Sequence, residues 1–238
     1  MEYVAFIGTE GPTPEGPLQV MRRELPGWVQ RMNGRGVRLL GRELDFPDKA
    51  VTVRVRAGET LVSDGPFAET KEFVAGFDLL RCGDLDEAIE VMSTSPVAWY
   101  HPIELRPFRG EPRLGPDLTA FGRMDDTVGA PYQLTAWVGS APPAAVDREC
   151  AAWRDDVAAR GLHVLGGALA GPEAATTLRV QGQGGETGLE DGQFLELEAF
   201  IAALDVVRCT DREQAVELAA RHPLARDHAI EVRPFYMP

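Results

Sequence analysis

The sequence predicts an α+β fold made from one unit used twice. Three observations carry that prediction: an ungapped internal repeat, an order of strand and helix patterns shared by both halves, and the composition of an ordinary globular protein. From Asp64 to Phe108, 20 of 45 positions are identical to those 127 residues further on, Asp191 to Phe235. The shared residues include Glu69/Glu196, Asp78/Asp205, Arg81/Arg208, Cys82/Cys209, His101/His228 and Arg106/Arg233. Self-similarity of this length marks one folded unit present in two copies.

The repeat divides the 238 residues into units at 1–108 and 131–238. Each has the size of an ordinary domain. Between them, residues 109–130 are rich in Gly, Pro and Asp with few periodic apolar positions, which reads as a linker. With 44% hydrophobic and 26% charged residues, each half can bury a core. The net charge of −13 sets the average field against phosphate backbones and anionic lipid, so neither nucleic acid nor membrane is expected as a partner. No apolar run approaches the length of a membrane span, and the first residues lack a basic region before their short apolar run, so a cytoplasmic protein is expected. Cys82, Cys150 and Cys209 form no C-x-x-C and read as small, buried, reduced residues.

Residues 2–8 alternate as a strand, and the Gly- and Pro-rich stretch 8–17 ends it. Leu18, Met21, Leu25, Trp28 and Met32 then recur at three- and four-residue steps on one helical face, with Pro26 expected to disturb the helix. Residues 37–44 and 51–55 read as strands of a hairpin joined at Phe46-Pro-Asp-Lys49. Residues 75–82 read as a buried strand. Asp84, with Glu87 three residues on, caps the next helix, and a strand from His101 to Arg106 is stopped by Pro107. The second half repeats the order with strand 132–139, helix 144–160, hairpin 162–169 and 176–180, strand 201–209, helix 211–221 and strand 228–233. Strand, helix, two strands, helix, strand is the ferredoxin-like βαββαβ unit.

The run Asp64-Gly-Pro-Phe-Ala-Glu-Thr-Lys-Glu72, followed by Phe77, Asp86-Glu-Ala88 and Glu104-Leu-Arg-Pro107, resembles the YCII-related family, in particular its DGPF-domain branch. Asp191-Gly-Gln-Phe-Leu-Glu-Leu-Glu-Ala199 is a degraded second copy. The resemblance covers nearly the whole chain apart from the linker. It implies that the two repeats form within one chain the dimeric α/β barrel that single-repeat relatives form as homodimers. A monomer with an internal pseudo-dimer, or a dimer through outer surfaces, follows. Relatives include a dehydrochlorinase and, more distantly, cofactor-free monooxygenases, isomerases and cyclases; many DGPF proteins are encoded beside sigma factors. The better-studied branch pairs a first-helix His with an Asp. Neither 18–33 nor 144–160 contains a His, so that arrangement is not carried over.

Alternation places Arg54, Glu104 and Arg106, and in the second half Arg179, Glu231 and Arg233, on the sheet face away from the helices. These charges either satisfy one another or line a pocket for a carboxylate, enolate or phenolate. Asp64 and Asp191 each precede a glycine; such a carboxylate serves either as an Asx-type turn acceptor or as a general acid or base. Glu69 and Lys71 are placed to assist in the first copy, while Glu198 replaces Lys71 in the second. His101 and His228 start their strands and read as structural residues or catalysts. With no metal-ligand spacing, no phosphate loop after a strand and no G-x-S-x-G, no cofactor is expected. Two functions remain: a cofactor-free lyase, isomerase or cyclase acting on a small apolar, anionic substrate, with Asp64 as the proton-transfer group, or a non-catalytic ligand-binding or regulatory protein associated with a transcription factor.

Overall fold

The computed structural model describes all residues except 69, 117, 123–128, 143, 196 and 238, and only the backbone at 144 and 145. In chain order the elements are β1 (Glu2–Thr9), α1 (Glu15–Gly34), β2 (Arg38–Glu43), β3 (Val51–Arg56), β4 (Glu59–Asp64), β5 (Phe73–Arg81), α2 (Leu85–Ser93) and β6 (Ile103–Pro107). They continue with β7 (Arg113–Leu114), α3 (Leu118–Gly122), β8 (Ala130–Val138), α4 (Ala144–Ala159), β9 (His163–Ala168), β10 (Thr176–Val180), β11 (Thr187–Asp191), β12 (Phe200–Cys209), α5 (Arg212–Arg221) and β13 (Ala229–Pro234).

The chain folds as two compact α+β units that do not coincide with its two halves. The first unit holds Met1–Glu43, Thr70–Phe108 and Pro172–Glu196; the second holds Leu44–Glu69, Arg109–Gly171 and Leu197–Pro238. The first sheet has the order β11-β10-β6-β1-β5-β2, whose last four strands follow the 4-1-3-2 order of a ferredoxin-like unit. The second sheet, β4-β3-β13-β8-β12-β9-β7, contains the same order in β13-β8-β12-β9. Each sheet is therefore extended by a hairpin from the opposite half of the sequence: β10–β11 on β6, and β3–β4 on β13.

The pairing departs from the hairpins expected of 37–44 with 51–55 and of 162–169 with 176–180. The Phe46-Pro-Asp-Lys turn does form, as a short 3-10 helix, but β2 pairs with β5, and β3 pairs with β4 and β13. The overlooked partners, β4 and β11, are exposed along their whole length and so carry no alternation to read. The stretch expected to link the halves contributes β7, paired with β9, and α3, whose buried Phe121 meets Phe235 edge-on at 5.0 Å.

Elsewhere local chemistry decides the elements as expected. Asp84 accepts the Glu87 amide at 2.9 Å while the Glu87 carboxylate takes the Gly83 amide; Asp211, Gln214 and Thr210 repeat the arrangement on α5. Such reciprocal capping contributes about 1 kcal/mol per helix. Against the expected disturbance, helix α1 continues through Pro26, and it buries Trp28 and Met32. All three cysteines are free and buried, and burial pushes the Cys209 thiol up to about 12.

Under each sheet lies a buried carboxylate. Asp78 takes the Arg38 guanidinium at 2.7 Å; Asp205 takes two N–H groups of Arg154, at 2.6 and 3.0 Å, and lies 3.2 Å from His163 Nε2. Burial alone would push the Asp205 carboxyl up, but the Arg154 charge and the bonds from His163, His222 and Arg154 hold it well below the usual range. Room for these carboxylates comes from Gly41 and Gly166. A β-carbon at Gly166 would stand 2.0 Å from Asp205 Oδ1 and 2.8 Å from the Leu204 carbonyl oxygen. We expect Gly166→Ala to lower the urea midpoint by a loss of about 3 kcal/mol, whereas Gly139→Ala, whose β-carbon meets nothing within 4 Å, leaves it nearly unchanged. Equal midpoints would show that the carboxylate does not need this space.

The hairpin exchange also sets what a half can do alone. Residues 1–115 carry β3–β4 without the β13 that they extend, and lack the β10–β11 that extends β6. We expect this fragment to self-associate or to lose cooperative unfolding, as read by light scattering and circular dichroism. A monomer with the stability of the whole chain would contradict the exchange.

Candidate functional site

The Asp-Gly motifs leave their hairpins through the same built turn. Gly65 donates to the Ala50 carbonyl, Thr52 Oγ1 donates to the Gly65 carbonyl, and the Phe67 amide donates to Glu231 Oε2 at 3.1 Å. In the first unit Gly192, Thr177 and Phe194 do the same, the Phe194 amide donating to Glu104 Oε2 at 3.2 Å. Gly65 and Gly192 have φ of 95° and 98°, a conformation that explains the glycine of the motif. Glu104 is paired with Arg106 and Glu231 with Arg233, each two residues along its own strand and all nearly sealed from solvent. Burial pushes the Glu104 carboxyl up against the pull of Arg106 and the Phe194 amide, and burial lowers the Arg233 guanidinium. Of the sequence candidates, Arg106 and Arg233 thus support the turn anchors.

Asp64 and Asp191 lie on the surface. The Asp64 side chain is 88% exposed and accepts from Arg212 at 2.8 Å. Among the described residues no backbone N–H bonds either carboxylate, so neither forms the expected Asx-type turn. Lys71, 80% exposed, pairs with Glu10 at 2.7 Å, which holds its ammonium pKa up. Asp64 belongs to the second unit and Lys71 to the first, so the motif splits between units; Glu69 lies outside the described residues.

His101 and Arg179 line one cavity. In the first unit a cavity of about 300 Å³ opens between the loop Thr9–Pro14, Glu72, the segment Tyr100–Pro102 and Arg179. His101 Nε2 lies 2.9 Å from Thr13 Oγ1. Burial lowers the imidazole pKa, against a bond to the Gly8 backbone that raises it, so His101 is neutral and available as a base at neutral pH. Arg179 faces carboxylates at 3.9 Å (Glu72) and 3.6 Å (Glu190), beyond hydrogen-bond reach, which leaves its N–H donors for an anionic oxygen. Thr13 and Tyr100 carry no sequence signal for a pocket; the loop holding Thr13 lies outside the ungapped repeat that marks the other candidates.

The second unit holds His228 and Arg54 at the equivalent positions, in different company. Burial also lowers the His228 pKa, Asp227 opposes the shift, and Arg56 adds to it. Arg54 lies 5.6 Å over the Phe67 ring, and Phe67 stacks on Trp137 at 5.2 Å.

Comparison with known proteins agrees with the repeat. The YCII-related domain matches twice, over residues 1–107 and 130–236, and the chain belongs to the YCII-related family. The uncharacterized protein R00369 of Rhizobium meliloti (strain 1021) is 45% identical over 69 residues, 24% of this chain and 56% of that protein, so the match spans about half of the relative's length. A crystal structure described as a candidate chlorite dismutase, TA0507, aligns over 99% of this chain and 95% of its own with a TM-score of 0.38 and 8% identity. Among the described residues, no helix is long and apolar enough to cross a membrane.

Proposed function

We propose that the first unit binds a small anionic molecule in its cavity and that His101 moves a proton on it, as a lyase, isomerase or cyclase would. The observation that supports this reading is one cavity faced by both a neutral imidazole and a guanidinium with open donors. His101 would take a proton from carbon next to a carbonyl, and Arg179 would hold the charge that develops on oxygen. Thr13 Oγ1, against the His101 ring, would fix its orientation until a ligand displaces or joins it. The proton-transfer role expected of Asp64 passes to His101, because Asp64 is exposed beside Arg212. The acidic balance and buried thiols fit a cytoplasmic monomer.

One observation favours binding without turnover. The buried Arg106 and Arg233 are each paired with a glutamate on their own strand, Glu104 and Glu231, so their charges are balanced in place rather than offered to a ligand.

Solvent deuterium exchange into a panel of small 2-oxo and 3-oxo carboxylates separates the two. We expect His101→Asn to reduce exchange by roughly 100-fold or more while ligand affinity stays within a few-fold, and Arg179→Gln to weaken binding itself. Asp64→Asn should behave as wild type. The reactive form is the neutral imidazole, whose pKa is depressed; exchange should hold as pH falls through the ordinary histidine value of about 6.5 and decline only below it. Binding without any exchange, in wild type as in His101→Asn, would leave the regulatory reading.

A further inference from the structure

We infer that the second unit carries a closed copy of this site, kept shut by Trp137 acting through Phe67, and that Gly8 is what leaves the first copy open. The inference rests on the reading of the first cavity as an anion site.

The two places correspond strand by strand. Gly8 pairs with Val74 on β5, and its amide donates to the Pro102 carbonyl; Trp137 pairs with Ile201 on β12 and faces Ala229 on β13. Since Val74/Ile201 and Pro102/Ala229 are repeat equivalents, Gly8 and Trp137 occupy one position. On the hairpins, Thr52 and Thr177 make the same bond to the motif glycine, and Arg54 and Arg179 follow each by two residues. Phe67 and Phe194 are likewise equivalent, each fixed through its amide to a buried glutamate.

What lies beneath that phenyl ring differs. At Gly8 a β-carbon would stand 2.6 Å from the Phe194 ring, so the absent side chain is the space Phe194 fills, and Phe194 is 4% exposed. In the second unit the indole of Trp137 occupies that space. Phe67 stacks on it with an interplanar angle of 8° and is left half-buried, with Arg54 resting on its outer face. Glu72 and Glu190, which draw Arg179 to the cavity, are replaced by Ala199 and Ser63. A guanidinium without those carboxylates settles on an aromatic face. Three layers, Arg54, Phe67 and Trp137, close the copy.

Removing the indole should let Phe67 sink as Phe194 does and return Arg54 to solvent as a second anion site. The test follows the Nε–H resonances of Arg179 and Arg54, assigned by Arg→Lys variants, during titration with pyruvate. Wild type should show saturable shifts at Arg179 only; Trp137→Gly should add saturable shifts at Arg54 and raise the stoichiometry from one to two. As a second variant independent of whether Trp137→Gly folds, Phe67→Ala removes only the middle layer and should give the same Arg54 response. In the reciprocal direction, Gly8→Ala should drive Phe194 outward and weaken the Arg179 response by about tenfold. Saturation at Arg179 with a silent Arg54 in every folded variant overturns the closed copy and leaves the first cavity standing. A silent Arg179 in wild type overturns the anion-site reading, and the inference falls with it.

Discussion

A buried glutamate accepting the amide of a motif phenylalanine is the contact on which both units depend. Glu104 holds Phe194 and Glu231 holds Phe67, and in each case the phenylalanine ends a hairpin that comes from the other half of the sequence. A carboxylate with 2% exposure is costly to desolvate, and Arg106 offsets that cost only because it is buried alongside. Removing either partner of such a pair typically costs about 3–5 kcal/mol, since the other charge is left uncompensated. The Glu-x-Arg-Pro-Phe and Asp-Gly-x-Phe sequences therefore belong together: one supplies the anchor and the other is what is anchored.

Fixing the phenylalanine in the same way twice lets the two units differ through its neighbours. With its amide held, the ring can either sink toward the sheet or ride above it, and the residue on the first strand of each unit decides. Glycine admits Phe194 and leaves Arg179 to the cavity; tryptophan lifts Phe67 and gives Arg54 a ring to rest on. On the proposed reading, the scaffold keeps an open anion site in the first unit, while the equivalent place in the second unit serves packing instead.

Much of this was legible in the sequence because it depends on local chemistry or on length. The ungapped repeat gave two ferredoxin-like units, and Asp84 and Asp211 marked helix starts by side chains that bond their own first turn. The exchange of hairpins was not legible. Strands β4 and β11 are exposed edges with no apolar alternation, and a short turn after β2 says nothing about which sheet the next strand joins. The same blind spot bears on Asp64 and Lys71. Seven residues of sequence separation suggest that Asp64 and Lys71 are neighbours, yet the chain passes from one unit to the other between them. His101 and Arg179 were both named, but only the fold brings them to one cavity. The deciding difference, Gly8 against Trp137, sits outside the ungapped stretch, where the copies are offset by 129 residues rather than 127.

Native-state hydrogen exchange at the amides of Phe67 and Phe194 tests the anchor most directly. Both lie in irregular segments just beyond a hairpin, where an unanchored amide exchanges freely. Both should be protected to the level of the neighbouring sheet strands β13 and β6, because opening either requires stripping a buried glutamate of its donor. Exchange at exposed-loop rates at both positions, with β6 and β13 protected, would contradict it.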